Sequence, residues 1–393
     1  MKKLNHTVRA VWLAGMLALP LPALAASNVE PVDTDIDQSK AFDLLGKAAG
    51  YFDELQTLPD SHWIKRDKAS AESDITKLVE DAIGVLDVPG LAEMREHYRE
   101  VEDSIRKENT TLAELRQKRM LASDTDAGML TKYTPTDTLK GFTATTRGDY
   151  DLLIEAREEN LEAYRRELLD MRRAMSRALG DLGMPMPPDQ LELWLSSAIG
   201  EDVISMGVVF DSVREVTLRL EELTQANGEN LEFAKRYYGM LVILHKLVVH
   251  MQESFIAKID DEVLPKLAAF EKEADTLIAE SQRLMRQGNK TTLQQNIDAN
   301  RLTKRAIALY KRIVNSQRQK VSKALAVSRR EEDVAANTYR TVALSASVAT
   351  LIRDGINTFE TLSNLQVPDA AEFKNADIRE EFRKLTERME SSD

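Results

Sequence analysis

The chain contains no cysteine, which excludes disulfides, thiol catalysis and cysteine metal sites. Whatever stability it has must come from packing, which 393 residues can supply. Glycine (16), proline (11) and aromatic residues (6%) are scarce, and charged residues make up 30%. That balance suits long solvated helices. No sustained period-two run of β-branched residues occurs, so a sheet is not expected. The catalytic kits are missing as well: there is no P-loop, G-x-G-x-x-G, H-E-x-x-H or G-x-S-x-G, and only five histidines. Carboxylates are abundant but fall on charged helix faces. The chain reads as non-enzymatic and needing no cofactor.

What is present begins with the N-terminus. A short basic segment holding Lys2, Lys3 and Arg9 precedes an apolar run from Ala10 to Leu24 and the small-x-small triplet Ala23-Leu24-Ala25. This is the layout of a secretory signal, cut after Ala25 or Ala26. The run is about 15 residues, short of the roughly 20 that span a bilayer, and Pro20 and Pro22 break its end. No cysteine follows the cut, which excludes a lipid-anchored lipoprotein. The later apolar stretches, Tyr237–Leu244 and Val342–Ile352, are too short to span and read as buried helix. A periplasmic, Gram-negative location with no transmembrane segment in the mature chain follows. The formal charge of −12 becomes about −15 once the three signal cations are removed, which disfavours nucleic-acid binding.

Apolar residues then recur in alternating steps of four and three. One series runs Met94, Tyr98, Val101, Ile105, Glu108, Leu112, Leu115, with one charged interruption; another runs from Tyr150 through Arg157 to Leu182. A third runs Val263, Leu267, Phe270, Ala274, Leu277, Ser281, Leu284; a looser fourth runs Ile307, Tyr310, Val314, Gln317, Val321, Ala324. A period near 3.5 argues for coiled-coil packing. The expected fold is all-α: an elongated helical bundle with long antiparallel coiled-coil hairpins.

Breaks organise it. Leu58-Pro59-Asp60 and Val88-Pro89-Gly90 end early helices, and Ser123–Gly148 reads as a long threonine-rich connector. Pro185, Pro187 and Pro188 force a stop, after which Asp189-x-x-Glu192 reads as a capping box. Asp149 reads as an N-cap, which makes the adhesion-like Arg147-Gly148-Asp149 a coincidence. Val367-Pro368-Asp369 reads as the opening of a short terminal helix. The expected organisation is a signal over residues 1–25, an N-terminal helical region over 26–182 and a C-terminal bundle over 189–393. The last contains a hairpin about Gly288.

That hairpin sets the sharpest question. Glu253, Asp260–Glu262, Glu271, Glu273, Asp275 and Glu280 make the helix before it acidic, while Ala299 to Arg330 contains no acid. Folding back at Gly288 sets Glu271–Asp275 opposite Arg301–Arg305 and neutralises the basic helix. The alternative leaves Arg301, Lys304, Arg305, Lys311 and Arg312 as a face for anionic envelope components. His245, His250 and Glu253 share a helix, but the order is His-x-x-Glu and there is no second copy. They read as core or boundary residues.

Together these features point to a scaffold or accessory subunit of a cell-envelope assembly, with protein partners or a second copy of itself. The alternative is an anion-binding or chaperone-like module using residues 301–330. In composition and heptads the chain is similar to helical periplasmic segments that accompany mechanosensitive channels and proton-driven envelope motors; no diagnostic motif ties it to one family.

Overall fold

The computed structural model describes residues 38–60, 66–86, 89–126, 144–227, 231–286, 290–344, 362–365 and 376–390. The expected signal, the Gly288 turn and the Val367-Pro368-Asp369 cap lie outside them. The fold is all-α, with no strand among the described residues. In chain order the helices are α1 (Gln38–Leu55), α2 (Lys68–Leu86), α3 (Pro89–Leu121), α4 (Arg147–Asp181), α5 (Pro188–Leu195) and α6 (Gly200–Asn227). After these come α7 (Leu231–Lys258), a π-turn (Ile259–Val263), α8 (Leu264–Met285), α9 (Lys290–Leu344) and α10 (Ala376–Glu390).

The four-three series turn inward as the pattern requires. Tyr98, Val101, Leu112 and Leu115 of α3 are buried, as are Leu161, Met171, Met175 and Ala178 of α4. The two helices pack side by side, and Arg116–Glu158 (2.8 Å) and Arg119–Asp151 (2.5 Å) fix them antiparallel. Their two charged interruptions meet: Arg157 Nη1 donates to Glu108 Oε1 at 2.9 Å, with both side chains largely buried. At the far end, Leu115, Ala144 and Leu153 form a small separate apolar cluster. In the fourth series the inward residue is Leu325, whereas Ala324 faces solvent. In the third, Leu277 is 42% exposed.

Two local expectations are corrected. Helix α4 starts at Arg147, one turn earlier than expected, because Thr146 is the N-cap and Asp149 the N3 partner of a capping box. Asp149 is buried and accepts from the Thr145 and Thr146 amides at 2.9 and 3.0 Å, so the adhesion-like tripeptide is the first turn of a helix. Helix α5 starts at Pro188 with Pro187 as its N-cap and no side-chain cap. Glu192 is used elsewhere, bound to Arg172 (3.1 Å) and Arg379 (2.5 Å). The connection between α4 and α5 turns at Gly183, whose φ of +78° favours glycine and where an added Cβ would overlap the Asp211 carboxylate.

The π-turn was not foreseen. Pro265 lies one residue into α8, where a regular α-helix would lose a hydrogen bond and drive the ring into the preceding turn. A widened turn, in which the Leu264 amide bonds to Ile259 O, lets the helix pass from α7 into α8. The stretch Phe233–Met285 is long and apolar enough, by length and composition, to cross a membrane. Its most apolar part is the centre of the protein: Leu241–Leu244, Leu247 and Val248 have no exposed surface. Here α7 packs against α1, α6 and α9.

One apolar core runs through both halves of the chain, from Ala41 in α1 to Met389 in α10. Helix α10 binds several elements together. Tyr310 of α9 stacks on Phe382 (3.6 Å between ring centres), accepts from the Ala198 amide at 2.6 Å and shares a 3.0 Å hydrogen bond with Thr386. Thr386 donates to Ser196 O at 2.9 Å. Arg99 and Arg106 of α3 reach Glu390 and Glu387 at 2.6 and 3.0 Å. Arg388 covers the Phe270 ring and pairs with Glu273 of α8.

Candidate functional site

Helix α9 carries the acid-free segment 301–330, and its side chains divide into three rows. The inward row, Ile307, Tyr310, Val314, Gln317, Val321, Leu325 and Ser328, is buried. A second row flanks the seam with α8 and α7. Lys304 Nζ donates to Asp275 at 2.6 Å, Lys311 to Glu271 at 2.6 Å, and Arg318 holds Asp260 through two bonds of 2.5 and 2.7 Å. Arg329 reaches Glu253 at 2.6 Å, and the polarity then reverses as Lys246 of α7 binds Glu332 at 2.7 Å. Partner numbers fall on α8 and α7 as they rise on α9, so the helices run antiparallel. The Asp275 bond raises the Lys304 pKa, and the Asp260 bond raises that of Arg318.

The third row faces away from the core. Arg305, Arg312, Lys323 and Arg330 are exposed and make no ion pair among the described residues. They are spaced by seven, eleven and seven residues, close to two, three and two turns, and so form one line. Arg301, near the start of this line, is held by Asp298 of its own helix at 3.3 Å. The five cations singled out from sequence therefore do not act as one face. Lys304 and Lys311 belong to the seam, Arg301 to a local pair, and Arg305 and Arg312 to the outward line. Lys323 and Arg330 extend that line; a search for cations two or three turns apart on the face opposite the apolar heptad would have found them.

The histidines divide similarly. His245 is fully buried in the core, whereas His250 Nε2 lies 3.5 Å from Glu80, and Glu253 is taken by Arg329. The His-x-x-Glu set is not brought to one point. His250 also borders a cleft of about 410 Å³ between α2, α6 and α7, with Glu80, Glu201, Asp202, Ser205 and Lys258. Sequence reading passed over this cleft because its charges come from three separate helices. Lys258 donates to Asp202 at 2.6 Å and Arg95 pairs with Glu201. Burial raises the Asp202 carboxyl pKa, opposed by Lys258. Within the cleft Lys258 and Asp202 pair with each other and His250 lies by Glu80, while Glu201 is held by Arg95 from outside it.

No protein-family model, curated protein or solved structure matches this chain.

Proposed function

We propose that the protein is a non-enzymatic scaffold or accessory subunit of a periplasmic cell-envelope assembly, exported by its N-terminal signal and working through protein contacts. The observation that carries this reading is how the charged side chains are used. Glu108, Asp202, Glu253, Asp260, Glu271 and Asp275, the acids a catalytic or metal site would draw on, hold helices in register with one another. What remains is length: α9 has 55 residues, roughly 80 Å at 1.5 Å per residue, and α3 with α4 forms a second long antiparallel pair. Rigid rods with seams pinned by charge suit spacing and positioning of partners.

The test combines location with contact. Osmotic-shock fractionation and N-terminal sequencing should recover the chain in the periplasmic fraction, beginning at Ala26 or Ser27. Photo-crosslinking from exposed positions on α3 and α4, such as Glu114 and Arg165, should give one reproducible envelope protein. Recovery in the cytoplasm with an intact N-terminus contradicts the reading, as does crosslinking with no discrete product.

A further inference from the structure

We propose that the outward line of Arg305, Arg312, Lys323 and Arg330 lays α9 against an anionic phospholipid surface. This goes beyond the scaffold reading and does not depend on it. The four side chains project from one unbroken helix over about 37 Å, opposite the buried heptad. Between Ala299 and Arg330 the helix contributes no acid to offset them. The acids across the seam are engaged by a different set of cations: Lys304, Lys311, Arg318 and Arg329. One helix thus carries two basic rows, of which only the inner is engaged by counter-charges among the described residues.

The chemistry of the row favours a plane of phosphates over other polyanions. Successive charges stand about 10 Å or more apart, and an open concavity bordered by Ile278, Asp298, Arg301, Lys304 and Arg305 takes in only the first of them. A lipid surface offers anionic groups at every position, so it satisfies that spacing without a matched sequence of charges. Between and beside the cations lie Ala308, Ser316, Gln319 and Ala326, with Val327 and Val334 at 42% and 44% exposure, and the acids Glu331 and Asp333 follow Arg330 at the end of the row. The face has no aromatic residue on which bases of a single-stranded nucleic acid could stack. The net negative charge of the chain does not oppose this contact strongly, since charges farther than about 10 Å from the surface are screened at 0.1 M salt.

The test is co-sedimentation of the purified chain, processed as the producing cell leaves it, with vesicles of phosphatidylglycerol or of phosphatidylcholine alone. The parent chain should bind the first at low salt, release in high salt and ignore the second. The variant Arg305→Gln/Arg312→Gln/Lys323→Gln/Arg330→Gln should lose about a hundredfold or more in partitioning. A control of equal charge change, Arg165→Gln/Arg173→Gln/Arg219→Gln/Arg283→Gln, takes cations paired within their own helices and should bind as the parent does. Circular dichroism should show the same helix content in all three. Failure of the parent to bind phosphatidylglycerol, or equal binding by the outward variant, overturns the proposal. Binding to soluble polyphosphate without binding to vesicles also overturns it. Each of these results leaves the crosslinking test of the scaffold reading unaffected.

Discussion

Glu108 and Arg157 each break an apolar heptad, and the two meet across the seam between α3 and α4. They stand 49 residues apart, on helices whose register depends on the connection between them. Joined by one hydrogen bond in a thin part of the core, they oppose any slip of α3 along α4, because a shifted register strands both charges. Glu108→Ala should destabilise the protein by about 3 kcal/mol, measured by urea unfolding. Glu108→Leu combined with Arg157→Leu should recover most of that stability. Glu102, on the same helix, has its pKa pushed up to about 7 by burial; Arg383 opposes the shift, and Glu192, Glu380 and Glu387 add to it. A carboxyl raised above its ordinary 4.5 binds more protons in the folded state, so its contribution is complete below about pH 4.5 and is lost as pH rises to about 7. Stability should therefore fall by on the order of 3 kcal/mol across that window, and Glu102→Gln should flatten the slope in a pH series of thermal melts. Nothing in the local sequence marks Glu102, since its surroundings come from α5 and α10.

Element boundaries were legible where punctuation was local and failed where a cap or turn depended on partners. The heptads gave α3, α4, α8 and α9 because an apolar stripe must be buried wherever the helix packs. The acidic helix and the acid-free helix proved to be neighbours, with Lys304–Asp275 and Arg318–Asp260 near the places folding back at Gly288 required. The π-turn at Ile259–Val263 escaped notice although its signal is in the spacing: the buried Met251, Phe255, Ile259, Val263 and Leu267 follow in successive steps of four, where an unbroken α-helix would alternate four and three. Docking of α10 was also invisible: a 15-residue amphipathic helix does not name the helices it joins. Its hydrogen-bond chain through Tyr310 gives a prediction at this scale. Tyr310→Phe leaves the Ala198 amide without its acceptor and should cost about 1–3 kcal/mol in chemical denaturation. Thr386→Val, which strips the same network from the α10 side, should cost a similar amount, and the pair should be less than additive.

At the scale of the whole molecule, the all-α class followed from composition and period alone. The way the halves share a core did not, because Ala41 in α1 and Met389 in α10 belong to one apolar cluster despite their distance in sequence. A coiled-coil seam looks the same in sequence whether it closes within a chain or between two. Here the α9 seam is filled by α7 and α8 of the same chain, and its flanking charges are matched there. The measurement that tests this most directly is size-exclusion chromatography with light scattering on the purified chain at low and high salt. The account predicts a monomer with a large hydrodynamic radius that does not change with salt. A stable dimer that separates in high salt would contradict it, because the charged seam of α9 would then be joining two chains.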